Sequence, residues 1–187
     1  MKLKTKRKMK TYILDTETGG ISPYTDGLLS VSLKKLGDDE VKTWFIKPKA
    51  GKLYSYSAQR VNKLDLDSLE NIGHTITQVL DDLQLNYFNE KKVRIIGHNI
   101  EFDLKFLLQA AKELKVKMPI IEYICTMDLA KVHLKQTKIL KSIKLTEVFE
   151  YFFPGNDLIE KAHESEADVL ITEKIFSPLW ELEKKSR

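Results

Sequence analysis

Two kinds of connection between strand-like segments restrict this sequence to a small set of folds. Residues 11–15, 27–36 and 40–46 have the short apolar runs and alternating patterns that are typical of β-strands. Gly37-Asp38-Asp39, between the last two, is a hairpin turn signal. Because strands joined by a hairpin must pair antiparallel, this part of the chain predicts a β-meander.

The rest of the chain alternates between helical and strand patterns. Compact strands are predicted at 93–96 and 120–125. Helices are predicted at 75–86, from Asn99 to about Leu114, at 145–153 and at 163–182. The last of these helices is expected to be interrupted by Pro178. The two later strands are reached through helices, so they can pair parallel. We therefore expect an α/β fold with a mixed central β-sheet, an antiparallel meander and then parallel strands, flanked by helices.

The length and the cysteine content narrow the class of protein further. The 187 residues fit one domain, on a prior of about 150 residues per domain. Cys125 is the only cysteine, which rules out an internal disulfide and indicates a reducing compartment. No apolar run approaches the roughly 18 residues of a membrane span, and no apolar signal-peptide segment follows the basic N-terminus. These features predict a cytoplasmic protein with no membrane association.

Positive charge is concentrated at the N-terminus. Residues 1–10 contain six Lys or Arg and no acid, whereas the other 177 residues carry 25 positive and 27 negative charges. We therefore divide the chain into a basic arm, 1–10, and a body, 11–187. The arm either binds a polyanion by releasing counterions from its phosphates or is a solvated terminus, and the sequence leaves both interpretations open.

A second basic segment, residues 131–144, contains five lysines and no acid: Lys131, Lys135, Lys138, Lys141 and Lys144. Their spacing of four, three, three and three residues predicts that they follow one face of a helix. Such a stripe either follows a phosphate backbone or is an ordinary solvated helix face.

Three acidic patterns occur at the ends of predicted elements. Asp15 and Glu17 end the first strand, where alternate residues face the same way. Asp103 begins an otherwise apolar helix. His163 and Asp168 are five residues apart in the last predicted helix, which is about 140° around its axis and puts them on adjoining faces. Each pattern alone also has a structural explanation, such as exposed acids in a turn or an acid favoured by the helix dipole.

Together, the four carboxylates indicate a metal site. Oxygen ligands without cysteine suit hard cations such as Mg²⁺ or Mn²⁺, and not zinc. Two such ions about 3.5–4 Å apart can activate a water and stabilise the leaving oxygen of a phosphodiester. A neighbouring imidazole, whose ordinary pKa is about 6.5, can accept the proton of that water at neutral pH.

The three patterns, in this order and context, resemble the motifs of the DEDDh family of 3′→5′ exonucleases, which includes DnaQ-like proofreading subunits. Residues 15–19 (Asp-Thr-Glu-Thr-Gly) are similar to the first motif, 98–103 (His-Asn-Ile-Glu-Phe-Asp) to the second and 162–168 (Ala-His-Glu-Ser-Glu-Ala-Asp) to the third. The resemblance extends from Thr11 to about Trp180. It implies a ribonuclease H-like fold and a single exonuclease domain, 11–187, that releases 5′-mononucleotides from a 3′ end.

The resemblance also implies roles for the residues of the motifs. The general base would be His163. Two Mg²⁺ ions, for which Mn²⁺ would substitute, would be held by four carboxylates: Asp15, Glu17, Asp103 and Asp168.

Four further residues would contact the terminal nucleotide. By family pattern, Thr18 and Ile21 would line its site and Phe102 would pack on its base, which tolerates any sequence. Ordinary core packing explains Ile21 and Phe102 equally well. Asn62 stands where family members often carry a histidine; it can donate a hydrogen bond but cannot carry charge, a difference that bears on substrate preference.

The expected partner is a single-stranded or frayed 3′ end, with DNA favoured over RNA and a DNA polymerase as a further candidate partner. One alternative with the same chemistry is an exoribonuclease or oligonucleotide hydrolase. Another is a nucleic-acid-binding or polymerase-accessory module without catalytic activity, to which the basic arm gives some support.

Overall fold

The computed structural model describes residues 9–187. Most of the basic arm therefore lies outside the described residues. The strands are β1 (Thr11–Thr18), β2 (Leu28–Lys35), β3 (Val41–Phe45), β4 (Lys92–Gly97) and β5 (Ile120–Cys125). The helices are α1 (Tyr56–Asn62), α2 (Leu66–Ile72), α3 (Ile76–Asp82), α4 (Ile100–Glu113), α5 (Thr126–Ala130), α6 (Leu145–Phe152) and α7 (Ser165–Ser186). Single π-helical turns extend α3 over Leu83–Tyr87 and α5 over Lys131–Lys135, and a 3₁₀ helix covers Asp157–Lys161.

The five strands form one sheet in the order β3-β2-β1-β4-β5. The pairs β1–β2 and β2–β3, which are joined by short connections, are antiparallel. The pairs β1–β4 and β4–β5, which are reached through helices, are parallel. The predicted mixed sheet, with an antiparallel meander and then parallel strands, is therefore confirmed.

Strand β1 extends beyond its parallel neighbour, and this extension positions the site. Its pairing with β4 covers only Thr11–Ile13, opposite Arg94–Ile96. Its pairing with β2 continues to Thr18, with a register shift between Glu17 and Thr18. The β4 side of β1 beyond Ile13 is thus open to side chains from the helix that follows β4.

Three groups of buried side chains hold the helices to the sheet. The largest lies between the sheet and α3 and α4, and contains Tyr12, Leu14, Trp44, Val79 and Leu107. On the other face, Ile13 and Ile96 contact Val169 of α7. The third group joins α5, α6 and α7 through Ala130, Leu134, Val148, Phe149 and Ile171. Helix α7 is therefore fixed on both the sheet and the helical layer.

Helix α7 corrects one sequence prediction. It runs unbroken through Pro178, which was expected to interrupt it. Proline removes one backbone hydrogen bond, but Ile175 and Leu179 on either side are fully buried, and their packing stabilises the helix. Within residues 9–187, no helix is both long and apolar enough to cross a membrane.

The lysine-rich segment 131–144 corrects a second prediction, since its lysines do not follow one helical face. A π-helical turn ends at Lys135, and Lys138 has a φ of 61°, in the left-handed region that a right-handed helix excludes. The chain then continues without regular structure to α6. Helices α1 and α2 were not predicted; each buries only one residue, Asn62 and Leu69 respectively, so neither has an apolar periodicity to detect.

Candidate active site

Three carboxylates from two elements converge at the end of β1. Asp15 and Glu17 are alternate residues of β1, and Asp168 lies in the first turn of α7. Each offers one carboxylate oxygen, and these oxygens all lie within 4.8 Å of one another. The pleat of β1 turns Asp15 and Glu17 to the same side, and the packing of Val169 against the sheet brings α7 over them.

The fourth predicted carboxylate, Asp103, lies beside this group on α4. Its Oδ1 accepts hydrogen bonds from the backbone N–H of Thr16 at 2.9 Å and from the Thr16 hydroxyl at 2.7 Å. The helix begins after Asn99, which has a left-handed φ of 66°, and this turn directs the first helical turn toward β1. Asp103 thus takes the hydrogen-bonding position that β4 leaves open beside β1.

His163 precedes α7 and is not part of it, which corrects the predicted position. Its φ is 74°, so it cannot occupy the first turn of a right-handed helix, and the predicted 140° relation to Asp168 does not apply. The backbone N–H of His163 donates to Oδ1 of Asp168 at 3.2 Å. The side chain of His163 is exposed beside the carboxylates.

The turn that carries His163 is anchored to β2 by hydroxyl groups. Ser165, the first residue of α7, is buried, and its Oγ lies 2.8 Å from Ser32 Oγ and 3.1 Å from Ser30 Oγ. Ser32 Oγ is in turn 2.7 Å from Thr43 Oγ1 of β3. Sequence reasoning missed this contact, because only the sheet register places these hydroxyls together.

The electrostatics of the four carboxylates favour a bound cation. Burial, followed by the charges of Asp168 and Asp103, raises the pKa of Glu17 to about 8. Burial raises the pKa of Asp103 to about 7, although the hydrogen bonds from Thr16 oppose this. Burial and the three neighbouring carboxylates raise the pKa of Asp15 well above its ordinary value. Burial also raises the pKa of Asp168, against the hydrogen bond from His163.

These residues fit a hard divalent cation. The donor group consists of carboxylate oxygens alone, which suits Mg²⁺ or Mn²⁺. Burial and mutual repulsion disfavour the charged form of each carboxylate, and a cation among them would offset both effects. The cluster of Asp15, Glu17 and Asp168 can therefore bind a divalent metal, with Asp103 adjacent.

Two clefts meet at His163. One is lined by Glu17, Asn62 and Lys63, together with the start of α7. The other is lined by Asp168 and His98, and by three lysines of the segment 131–144: Lys135, Lys141 and Lys144. A strand of substrate lying in either cleft would pass the histidine and the carboxylates.

The predicted nucleotide contacts have different environments. Ile21 is 86% exposed, so the core-packing interpretation is wrong for it. Phe102 is partly buried and packs on Phe106, with ring centroids 5.1 Å apart. The Thr18 hydroxyl donates to the carbonyl of Gly20 at 2.6 Å.

Asn62 is buried, and its side chain bonds to the chain itself. Its amide nitrogen donates to the Thr18 carbonyl at 3.2 Å, and its Oδ1 accepts from the Leu64 backbone N–H at 3.0 Å. It thus ties the end of α1 to the strand that carries Asp15 and Glu17.

The mixed sheet, with an acidic cluster at the end of its central strand and a histidine beside it, is the arrangement expected of an exonuclease with a ribonuclease H-like fold. A family model described as Exonuclease (RNase_T) matches residues 12–176, and the chain belongs to that family, as the resemblance to DEDDh exonucleases predicted. It carries a 3′→5′ exonuclease domain.

Relatives and solved structures agree with this assignment. Ribonuclease T of Buchnera aphidicola (subsp. Schizaphis graminum) is 28% identical over 181 residues, which is 88% of this chain and 80% of that protein. A PolC-type DNA polymerase III of Thermotoga petrophila is 28% identical over 92% of this chain, but over only 12% of its own length. E. coli Exonuclease I, solved in complex with a dT13 oligonucleotide, superposes with a TM-score of 0.75 at 16% identity. The superposition covers 92% of this chain and 41% of the Exonuclease I chain, and it confirms the ribonuclease H-like fold.

Proposed function

We propose that this protein is a divalent-metal-dependent exonuclease that releases 5′-mononucleotides from single-stranded or frayed DNA 3′ ends. The observation that carries the proposal is the convergence of Asp15, Glu17 and Asp168 within 4.8 Å, beside Asp103 and His163. Crowded carboxylates cost folding free energy unless a cation neutralises them, and Glu17 and Asp168 each line a cleft that opens to the surface, so the arrangement supports a metal-dependent reaction.

The four carboxylates would hold the metal, with Asp15, Glu17 and Asp168 as the closest group and Asp103 completing the set. Bound Mg²⁺ or Mn²⁺ ions would lower the pKa of the attacking water and stabilise the charge on the leaving 3′ oxygen. Thr16 orients the Asp103 carboxylate through two hydrogen bonds, so this ligand is fixed before substrate enters.

His163 would act as the general base. Its exposed imidazole lies in the turn before α7, where the N–H of its own backbone is bonded to Asp168. The base and a metal ligand are therefore fixed to each other. The imidazole would take the proton of the attacking water as the oxygen attacks phosphorus, and the bond to the 3′ oxygen of the preceding nucleotide breaks. The products are a 5′-mononucleotide and a strand shortened by one residue.

The two apolar side chains that the family pattern assigns to the terminal base, Ile21 and Phe102, are exposed and partly exposed respectively. Ile21 has no core function at 86% exposure, and Phe102 presents part of its ring at the start of α4. We assign these two to base contact. Thr18 would line the same site, and Asn62 would act by holding the Thr18 carbonyl and so the backbone of that site.

DNA is the proposed polymer because the solved neighbour with a bound oligonucleotide holds DNA, and the PolC-type relative is a DNA polymerase. The likeness to the PolC-type polymerase also supports activity at 3′ ends that a polymerase produces. RNA is the second candidate, favoured by the match to Ribonuclease T over most of both chains.

The test is degradation of 5′-labelled single-stranded DNA and RNA of matched sequence, each with Mg²⁺ and with EDTA. We expect a ladder that shortens from the 3′ end, requires metal and is faster on DNA. Faster loss of RNA would replace the first candidate by the second. His163→Ala should lower kcat by at least about 100-fold with little change in KM, as expected for a general base. Equal kcat values for His163→Ala and the wild type would remove the proposed base.

A further inference from the structure

The lysines of the segment 131–144 are divided by the structure into two sets. Lys135, Lys141 and Lys144 line the cleft that also contains His163 and Asp168, a space of about 610 Å³. Lys131 and Lys138 belong to the same segment but do not line that cleft. All five are exposed. The sequence pattern could not make this division, because it depends on where the chain turns after Lys135.

The three cleft lysines carry charge that the protein does not neutralise. Within residues 9–187, none of the five lysines of this segment forms an ion pair. Elsewhere many cations are paired: Lys49 and Lys52, for example, share Glu113. The nearest acids in the sequence are Asp128 and Glu147, outside the segment. The cleft therefore presents positive charge next to the acidic cluster, an arrangement suited to a strand of phosphates whose 3′ end enters the carboxylates.

The loop that carries Lys141 and Lys144 is fixed by a partly buried histidine, His98. Nε2 of His98 lies 2.9 Å from the Ile143 carbonyl oxygen, and Nδ1 lies 2.9 Å from Thr126 Oγ1. A carbonyl can only accept, so Nε2 carries the proton and donates. Burial lowers the pKa of His98 to about 4, so the ring is neutral and Nδ1 is an acceptor beside the Thr126 hydroxyl, which also lies 3.2 Å from the Gly97 carbonyl oxygen. The lysine loop is thus tied to the turn that precedes α4, and its cations are positioned before a ligand binds.

Apolar groups line the same cleft beside the lysines. Met127, Ile143 and Leu145 are partly buried there, packed at the edge of the two larger cores. Proteins that bind single strands without sequence preference combine a positive groove for the backbone with apolar or aromatic surfaces for the bases. The cleft has both elements.

We propose that this cleft binds the phosphates of the nucleotides upstream of the scissile bond, through Lys135, Lys141 and Lys144. The proposal rests on the exonuclease function above and adds the path of the substrate strand: away from His163 along the loop 141–144 and not through the opposite cleft at Lys63. It also predicts that longer substrates bind more tightly than dinucleotides, because only longer ones carry the upstream phosphates.

The test compares two variants with the same charge change. Lys141→Gln/Lys144→Gln neutralises two cleft lysines, and Lys131→Gln/Lys138→Gln neutralises two lysines outside it. Binding of a fluorescent 20-nucleotide oligothymidylate is measured in EDTA over a range of salt. Each phosphate contact with a single strand contributes about 0.7 to the slope of log binding constant against log salt concentration. Loss of two contacts should therefore make this slope flatter by about 1.4 in the cleft variant. The corresponding loss of affinity at 0.1 M salt is roughly 25-fold. The control variant should bind like the wild type.

Hydrolysis in Mg²⁺ separates this proposal from the function on which it rests. A thymidine dinucleotide contains only the scissile phosphodiester, so the cleft variant should hydrolyse it at the wild-type rate while losing efficiency on the 20-nucleotide strand. Equal binding by the two double variants, or an equal loss on the dinucleotide, would overturn the proposal while the exonuclease function stands. A wild-type protein that binds the long strand through these lysines but hydrolyses neither substrate would overturn the function and not the binding cleft.

Discussion

Replacing Glu17 by glutamine should stabilise the metal-free protein while removing its metal-dependent activity. In the unfolded chain Glu17 ionises near its ordinary pKa of 4.5, whereas in the folded protein its pKa is about 8. At pH 7 the folded protein must therefore keep a proton that the unfolded chain releases. Over about 2.5 pH units at about 1.4 kcal/mol each, this costs on the order of 3 kcal/mol. A glutamine side chain has no proton to retain, so Glu17→Gln should recover much of that free energy.

The assay is thermal unfolding at pH 7, in EDTA and with millimolar Mn²⁺, beside Glu166→Gln as a control at an exposed carboxylate of the same motif. For a protein of this size each kcal/mol moves Tm by about 2–4 °C, so we expect a rise of roughly 5 °C or more in EDTA for Glu17→Gln and none for Glu166→Gln. Mn²⁺ should raise the Tm of the wild type and of Glu166→Gln, and should raise that of Glu17→Gln much less. An unchanged or lower Tm for Glu17→Gln in EDTA would refute the argument that the carboxylates are crowded.

Three further predictions follow from the same structure. Folding raises the pKa of Glu17 to about 8 and that of Asp103 to about 7, so the folded apoprotein binds more protons than the unfolded chain. The free energy of unfolding in EDTA should therefore fall as the pH rises from 6.5 to 8. In the presence of Mn²⁺ this fall should be smaller. His98→Leu leaves the Ile143 carbonyl without its donor and should cost about 1–3 kcal/mol in urea unfolding. Ser165→Ala removes the hydroxyl that joins α7 to β2 and should cost about 1 kcal/mol and lower kcat more than it changes KM.

Each of these has a matched control. The pH range starts at the ordinary pKa of histidine, about 6.5, to avoid the titration of His98. The pKa of His98 is lowered to about 4, so between pH 4 and 6.5 this residue makes the free energy of unfolding rise with pH, opposite to the effect of Glu17 and Asp103. Stability that is flat or rises from pH 6.5 to 8 in EDTA would contradict the first prediction. His74→Leu and Ser177→Ala alter exposed residues of the same types and should leave stability unchanged. Losses as large in these two variants as in His98→Leu and Ser165→Ala would show that the hydrogen bonds of His98 and Ser165 are not the cause.

The connections between strands made the sheet predictable from sequence. A hairpin forces its strands to be antiparallel, and a helical crossover permits parallel pairing, so the element order alone determined the mixed sheet. The position of Asp15 and Glu17 on one side of β1 followed from the strand period, and their oxygens lie together as that period requires. Both inferences depend on local geometry that the sequence specifies directly.

What the sequence did not predict depends on contacts between distant residues. The left-handed conformation of His163 accompanies a hydrogen bond to Asp168 and the burial of Ser165 against β2. Helical periodicity in the sequence predicts neither of these contacts. Lysines at helical spacing predicted a continuous face, but Lys138 takes a left-handed φ and His98 binds the carbonyl of Ile143 in the loop that follows. In both cases the tertiary contact overrides the local pattern.

The most direct test of the central claim is the identity of the first product from a single-stranded DNA labelled at its 3′-terminal nucleotide. Two-metal hydrolysis at the end of β1 predicts that all early label appears as the 5′-mononucleotide, that release requires Mg²⁺ or Mn²⁺, and that it is lost in Asp15→Asn although this variant remains folded. Label released as longer fragments, or mononucleotide released equally by Asp15→Asn or in EDTA, would contradict the account.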